Sequence, residues 1–133
     1  MLGSLMLAYG TGAVYALRFL YPAKKKVRRQ LFVASVEAIG PGQSLEYLLP
    51  SGAKVAVTRT VNGLVALSNT CPHLGCKVHW EGEKSRFYCP CHEGVFDPSG
   101  TPVSGPPKAE NLALGRYELE EKDGQVYLVL EES

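Results

Sequence analysis

The sequence predicts an all-β domain, an antiparallel β-sandwich with an inserted subdomain, behind one N-terminal apolar helix. Three observations lead there. Strand-like alternation begins at residue 31, in Leu31, Val33 and Ser35 and again in Lys54-Val55-Ala56-Val57-Thr58, the pattern of half-buried strands. Turn-forming pairs such as Asn62-Gly63 and Asp123-Gly124 separate these runs, and both pairs favour tight hairpins. Before residue 22 the only charge is Arg18.

Residues 1–21 come first. Leu2, Leu5, Met6, Leu7, Ala8, Tyr9, Ala13, Val14, Tyr15, Ala16, Leu17, Phe19 and Leu20 make an apolar run long enough for one bilayer crossing, so a transmembrane anchor helix is expected. No basic segment precedes the run and no small-x-small cleavage site follows it, which argues for an anchor over a cleaved signal. Gly3, Gly10 and Gly12 offer a small-residue face to a partner helix. Residues 22–30, Pro22-Ala23-Lys24-Lys25-Lys26-Val27-Arg28-Arg29-Gln30, read as a basic linker or hinge, a collar attracted to lipid phosphates.

Residues 31–133 make the domain. Pro41-Gly42 and Pro50-Ser51-Gly52 mark turns, and Asn62-Gly63 joins a strand around Val57 to one around Val65. Asp123-Gly124 joins Arg116–Glu120 to Val126–Leu130. The inserted subdomain lies between these hairpins, from about Asn69 to Pro107. From residue 30 onward eight Lys or Arg face thirteen Asp or Glu. Such an acidic domain suits a basic protein partner, and no nucleic acid is expected as a ligand.

The insert carries the chemistry. Cys71-Pro72-His73-Leu74-Gly75-Cys76 and Cys89-Pro90-Cys91-His92 contain all four cysteines and two of the three histidines. A structural zinc site is one reading, but six donors over-supply a four-coordinate ion. The spacing C-x-H followed by C-x-x-H, with one further cysteine in each box, is narrower. The two boxes resemble the cluster-binding boxes of the Rieske iron–sulfur proteins of cytochrome bc complexes, and Gly105-Pro106-Pro107 resembles the proline-rich loop that covers the cluster in that family. The resemblance spans roughly residues 31 to 131.

The resemblance implies a Rieske-type sandwich and one [2Fe–2S] cluster per chain. Cys71 and Cys89 would hold one iron, and His73 and His92 the other. It also implies a disulfide between Cys76 and Cys91, holding the two loops together. His79 fits no ligand spacing, and Trp80, Phe87, Tyr88 and Phe96 read as packing residues beneath the loops. Neutral imidazoles in place of two thiolates put such centres at roughly −150 to +300 mV, far above the roughly −400 mV of plant-type ferredoxins.

By the same resemblance the chain is an electron-transfer subunit, not an enzyme alone. It would belong to a multi-subunit quinol:cytochrome c oxidoreductase. His92, with His73 nearby, would face a quinol in the pocket of a cytochrome b subunit, and the electron would pass to a c-type cytochrome. The alternative is the Rieske subunit of a periplasmic oxidase such as arsenite oxidase. The domain is expected on the periplasmic, positive side of the inner membrane, where a disulfide persists. The basic linker argues for the cytoplasmic side by the positive-inside rule, and no twin-arginine signal precedes the apolar run. High-potential members carry Gly-Ser-x-Tyr after the second box, where this chain has Glu93-Gly94-Val95-Phe96. Without those hydroxyl donors the reduced cluster is less stabilised, which predicts a lower potential suited to menaquinol.

Overall fold

A computed structural model of the protein describes residues 2–21 and 27–132, with the side chains of residues 9–21 and 27–131. Pro22 to Lys26, most of the expected basic linker, lie outside the described residues. The chain divides into two units, residues 28–130 and the terminal segments.

In the terminal unit, α1 (Leu2–Leu20) forms where the apolar run predicts a helix. No helix among the described residues, however, is long and apolar enough to cross a membrane. The expected anchor therefore falls short as a free-standing span. The run is diluted by Ser4, Gly10, Thr11 and Gly12, by the phenol hydroxyls of Tyr9 and Tyr15, and by Arg18, which is costly to hold in hydrocarbon.

The other unit is mostly β. Its strands in chain order are β1 (Val27–Ser35), β2 (Ser44–Leu48), β3 (Lys54–Thr60), β4 (Gly63–Ser68), β5 (His79–Glu81), β6 (Arg86–Cys89), β7 (Gly94–Phe96) and β8 (Pro102–Ser104). A short helix α2 (Pro106–Ala109) precedes β9 (Arg116–Lys122) and β10 (Gln125–Glu132). β1 already takes in Val27 to Gln30, which the sequence assigned to the linker. Six strands form one sheet in the order β1-β10-β9-β4-β3-β2, and four form a second in the order β5-β6-β7-β8. The second sheet is the insert.

Both hairpins form. Lys122 pairs with Gln125, leaving Asp123 and Gly124 as a two-residue turn. Their φ values of 51° and 72° are those the favoured hairpin turn requires. Thr60 pairs with Gly63, so the other turn is Val61-Asn62, one residue earlier than the Asn-Gly pair suggests. The alternation predicted for β3 puts Val55 and Val57 into one core with Ile39, Leu49, Ala66, Val126 and Leu128. The opposite face, through Ala56 and Leu67, packs with Val78, Phe87, Phe96 and Leu114 of the insert and beyond. Cys71 and Cys89 belong to this second core, so the sheet supports the candidate site from beneath. Trp80 packs on Phe87 with ring centroids 4.7 Å apart and planes tilted by 55°, and its Nε1 donates to Gly42 O at 2.7 Å, tying the insert to the loop before β2.

Candidate metal centre

The first box folds back on itself because Cys71 N donates to Cys76 O at 2.7 Å and Gly75 N donates to Cys71 O at 2.9 Å. The second box is the connection from β6 to β7. Cys89 pairs with Gly94, and Glu93 turns the loop in the left-handed region at φ 55°. A disulfide joins the loops, Cys76 to Cys91, with the Cα atoms 6.5 Å apart. Cys71 and Cys89 remain free and buried. The rings of His73 and His92 meet edge to face, with centroids 5.0 Å apart. Their positions differ, His73 being largely covered and His92 exposed. His79 is exposed on β5.

Burial pushes the Cys71 thiol up, and the adjacent Cys89 adds to the effect, while the amides of His73 and Leu74 donate to the sulfur and oppose it. Such amides are the donors a thiolate ligand needs. The Sγ atoms of Cys76, Cys89 and Cys91 lie within 4.8 Å of one another. That trio is not a ligand set, because two of its sulfurs are bonded to each other. It places the disulfide directly against Cys89.

The Gly-Pro-Pro segment packs over the second box, as the resemblance to a covering proline-rich loop implies, but its two prolines begin the short helix α2. Gly105 has φ 77°, and a Cβ there would lie 2.9 Å from Glu93 O, so only glycine fits. Pro107 is buried and sits over Gly94. A Cβ at Gly94 would meet Pro107 Cγ at 3.0 Å and Cys89 Cβ at 3.5 Å, while Phe96 is fully buried. The positions that carry hydroxyl donors in high-potential members are therefore a packed glycine and a core phenyl. Sequence reading missed Glu110, whose Oε1 lies 3.6 Å from His73 Nε2. Nothing in its spacing from the boxes signals the contact.

Two buried thiols and two imidazoles remain once the disulfide forms, a donor set that fits a cluster with thiolates on one iron and histidines on the other. A tetrahedral zinc would accept the same four donors. Fold and donors together define a small β domain built to hold a metal centre at one edge.

Comparison with known proteins decides between the two. The chain belongs to the Rieske family: the Rieske [2Fe-2S] domain matches residues 29–125, and the centre is an iron–sulfur cluster. A cytochrome b6-f complex iron–sulfur subunit of Chlorobaculum tepidum is 31% identical over 129 residues, covering 88% of this chain and 67% of the relative. A menaquinol:cytochrome c reductase iron–sulfur subunit of Geobacillus thermodenitrificans is 49% identical over 68 residues, 49% of this chain and 39% of the relative. The chain thus spans well under half of that relative's length. Among solved structures, a chain of a hyperthermophilic respiratory complex III superposes with a TM-score of 0.58 at 27% identity, covering 94% of this chain and 96% of the other.

Proposed function

We propose that this chain is the electron-transfer subunit of a membrane quinol:cytochrome c oxidoreductase, with Cys71, His73, Cys89 and His92 as the ligands of its [2Fe–2S] cluster. The observation that carries this reading is that the two boxes of a Rieske domain leave two free, buried thiols and bring two imidazole rings to 5.0 Å from each other. The bc-type relatives support the setting. Bound there, the cluster would supply a one-electron couple well above that of plant-type, all-thiolate [2Fe–2S] ferredoxins. His92, exposed on the second box, faces the quinol. With one ring nitrogen on iron, the other would accept a hydrogen bond from the quinol hydroxyl, whose proton must leave as the electron does. Leu74, 68% exposed, and half-buried Pro106 form an apolar rim for the quinone ring. The absence of a hydroxyl at Gly94 and Phe96 supports a low potential and menaquinol as the donor, and a c-type cytochrome receives the electron.

α1 is read here as a membrane helix held by a partner. Its 19 residues reach about 28 Å at a rise of about 1.5 Å each, close to the hydrocarbon thickness of roughly 30 Å. Gly10 and Gly12 have open space around them, which lets a helix of a cytochrome b subunit approach closely. Arg18, in the last turn, reaches the interface. The domain then lies on the outer side, where its disulfide is stable.

Affinity purification of the tagged chain from native membranes tests the proposal. It predicts co-purifying b-type and c-type haem and menaquinone. Recovery of the chain free of haem, or with a molybdenum enzyme, would contradict it.

A further inference from the structure

The two histidines of the site have different neighbours. The turn that closes α2 runs through Glu110, the residue after the helix, to Asn111, which takes the left-handed conformation at φ 54°. The closing bonds run from Glu110 N to Pro106 O at 3.1 Å, Asn111 N to Lys108 O at 3.2 Å and Leu112 N to Pro107 O at 2.8 Å. These bonds fix the backbone of Glu110 beside the first box, and its carboxylate lies within ion-pair range of His73 Nε2. His73 is 17% exposed and Glu110 54%. No such carboxylate meets His92 among the described residues.

We propose that Glu110 is a positioning residue for His73: its carboxylate engages Nε2, leaves Nδ1 for iron, and lowers the reduction potential of the cluster. The inference rests on His73 being a ligand, as read above. Metal-bound histidines commonly turn their second nitrogen to a carboxylate or carbonyl, which fixes the ring and strengthens it as a donor. The sign of the effect follows from charge. The oxidised centre is the more positive state, so a nearby carboxylate stabilises it over the reduced one and makes the electron harder to add. Its size is limited because the Glu110 side chain is half exposed and its charge is screened by water and salt. The arrangement also divides the labour between the two rings. His73 is held and electrostatically loaded from α2, while His92 keeps its outer nitrogen for the quinol.

The test compares cluster-loaded full-length wild type with Glu110→Gln, Glu110→Asp and, as a remote acidic control on β9, Glu121→Gln. Each is followed by redox titration and electron-paramagnetic resonance at one pH. At the potential where wild type is half reduced, Glu110→Gln should be about three-quarters reduced, a threefold change in the ratio of the two states. Glu121→Gln should remain near half, and Glu110→Asp should return toward wild type. Equal shifts in Glu110→Gln and Glu121→Gln, or no shift in Glu110→Gln with the Rieske spectrum intact, would overturn the role of Glu110 alone. A wild-type spectrum without histidine ligation would overturn the ligand reading, and this inference with it.

Discussion

In the six-stranded sheet β3 and β4 run seven and six residues and hold register over six pairs, from Val55–Ser68 to Thr60–Gly63. In the four-stranded sheet no strand exceeds four residues, and the pairing of β7 with β8 shifts between Val95 and Phe96. The long sheet is held by aliphatic burial from both sides of β3. The short one leans on Phe87 and Phe96 beneath its loops and on the covalent bond between Cys76 and Cys91 above them. Stability thus resides in one region and the cluster-binding boxes in the other, and the loops that carry those boxes are cross-linked where their own strands are too short to hold them.

That division predicts separable failures. Leu128→Ala, in the core between β3 and β10, should cost about 2–5 kcal/mol in denaturant unfolding while leaving the cluster spectrum unchanged. Replacing Cys76 and Cys91 together by Ala should cost about 3 kcal/mol, from a loop of sequence separation 15. Its sharper consequence is local. Cluster content, read by iron and sulfide analysis, should fall while far-ultraviolet circular dichroism stays native, because β1–β4 and β9–β10 do not depend on that bond. A variant losing both signals together would erase the contrast between the regions.

Smaller changes within the short sheet should act on potential more than on stability. Phe96→Tyr and Gly94→Ser restore the two hydroxyls, and at about 1 kcal/mol per hydrogen bond each should raise the potential by about 40 mV. Phe96→Tyr is the cleaner test, because Gly94→Ser must also move the Pro107 ring by a few tenths of an ångström. The double variant, if it binds its cluster and shows no upward shift in a redox titration, would remove the basis for menaquinol.

The smallest effect belongs to Asp97, in the turn before β8. Burial pushes its carboxyl up, but donors from Ser99, Thr101 and Gly100 outweigh this and hold it below the usual carboxylate range. Its Oδ1 accepts from Ser99 Oγ at 2.6 Å, Ser99 N at 2.8 Å and Thr101 N at 3.0 Å. A depressed pKa in the folded state gives stability that is fully present above the unfolded value of about 3.9 and is lost as pH falls through the folded value. The stability gap between wild type and Asp97→Asn should therefore be constant near neutral pH and close in acid.

Much of this was legible in the chain. Period-two alternation marks β3, the Asp-Gly pair fixes the last hairpin, and the box spacing carries the family because ligand spacing is a local property. What sequence did not reveal depends on tertiary contacts or on the sum of many weak terms. Gly105-Pro106-Pro107 reads as a loop, yet a short helical turn forms after the glycine, as prolines allow at a helix start. The approach of Glu110 to His73 exists only once that turn is packed over the second box. In α1 the apolar run is visible at once, while its dilution by glycine, tyrosine and Arg18 appears only when the whole stretch is weighed.

The central claim is that Cys71, His73, Cys89 and His92 form one cluster site while His79 stands outside it. The most direct test is the electron-paramagnetic-resonance spectrum of the reduced protein in wild type, His92→Ala and His79→Ala. The account predicts a Rieske spectrum in wild type and His79→Ala and its loss in His92→Ala. A normal Rieske spectrum in His92→Ala would contradict it.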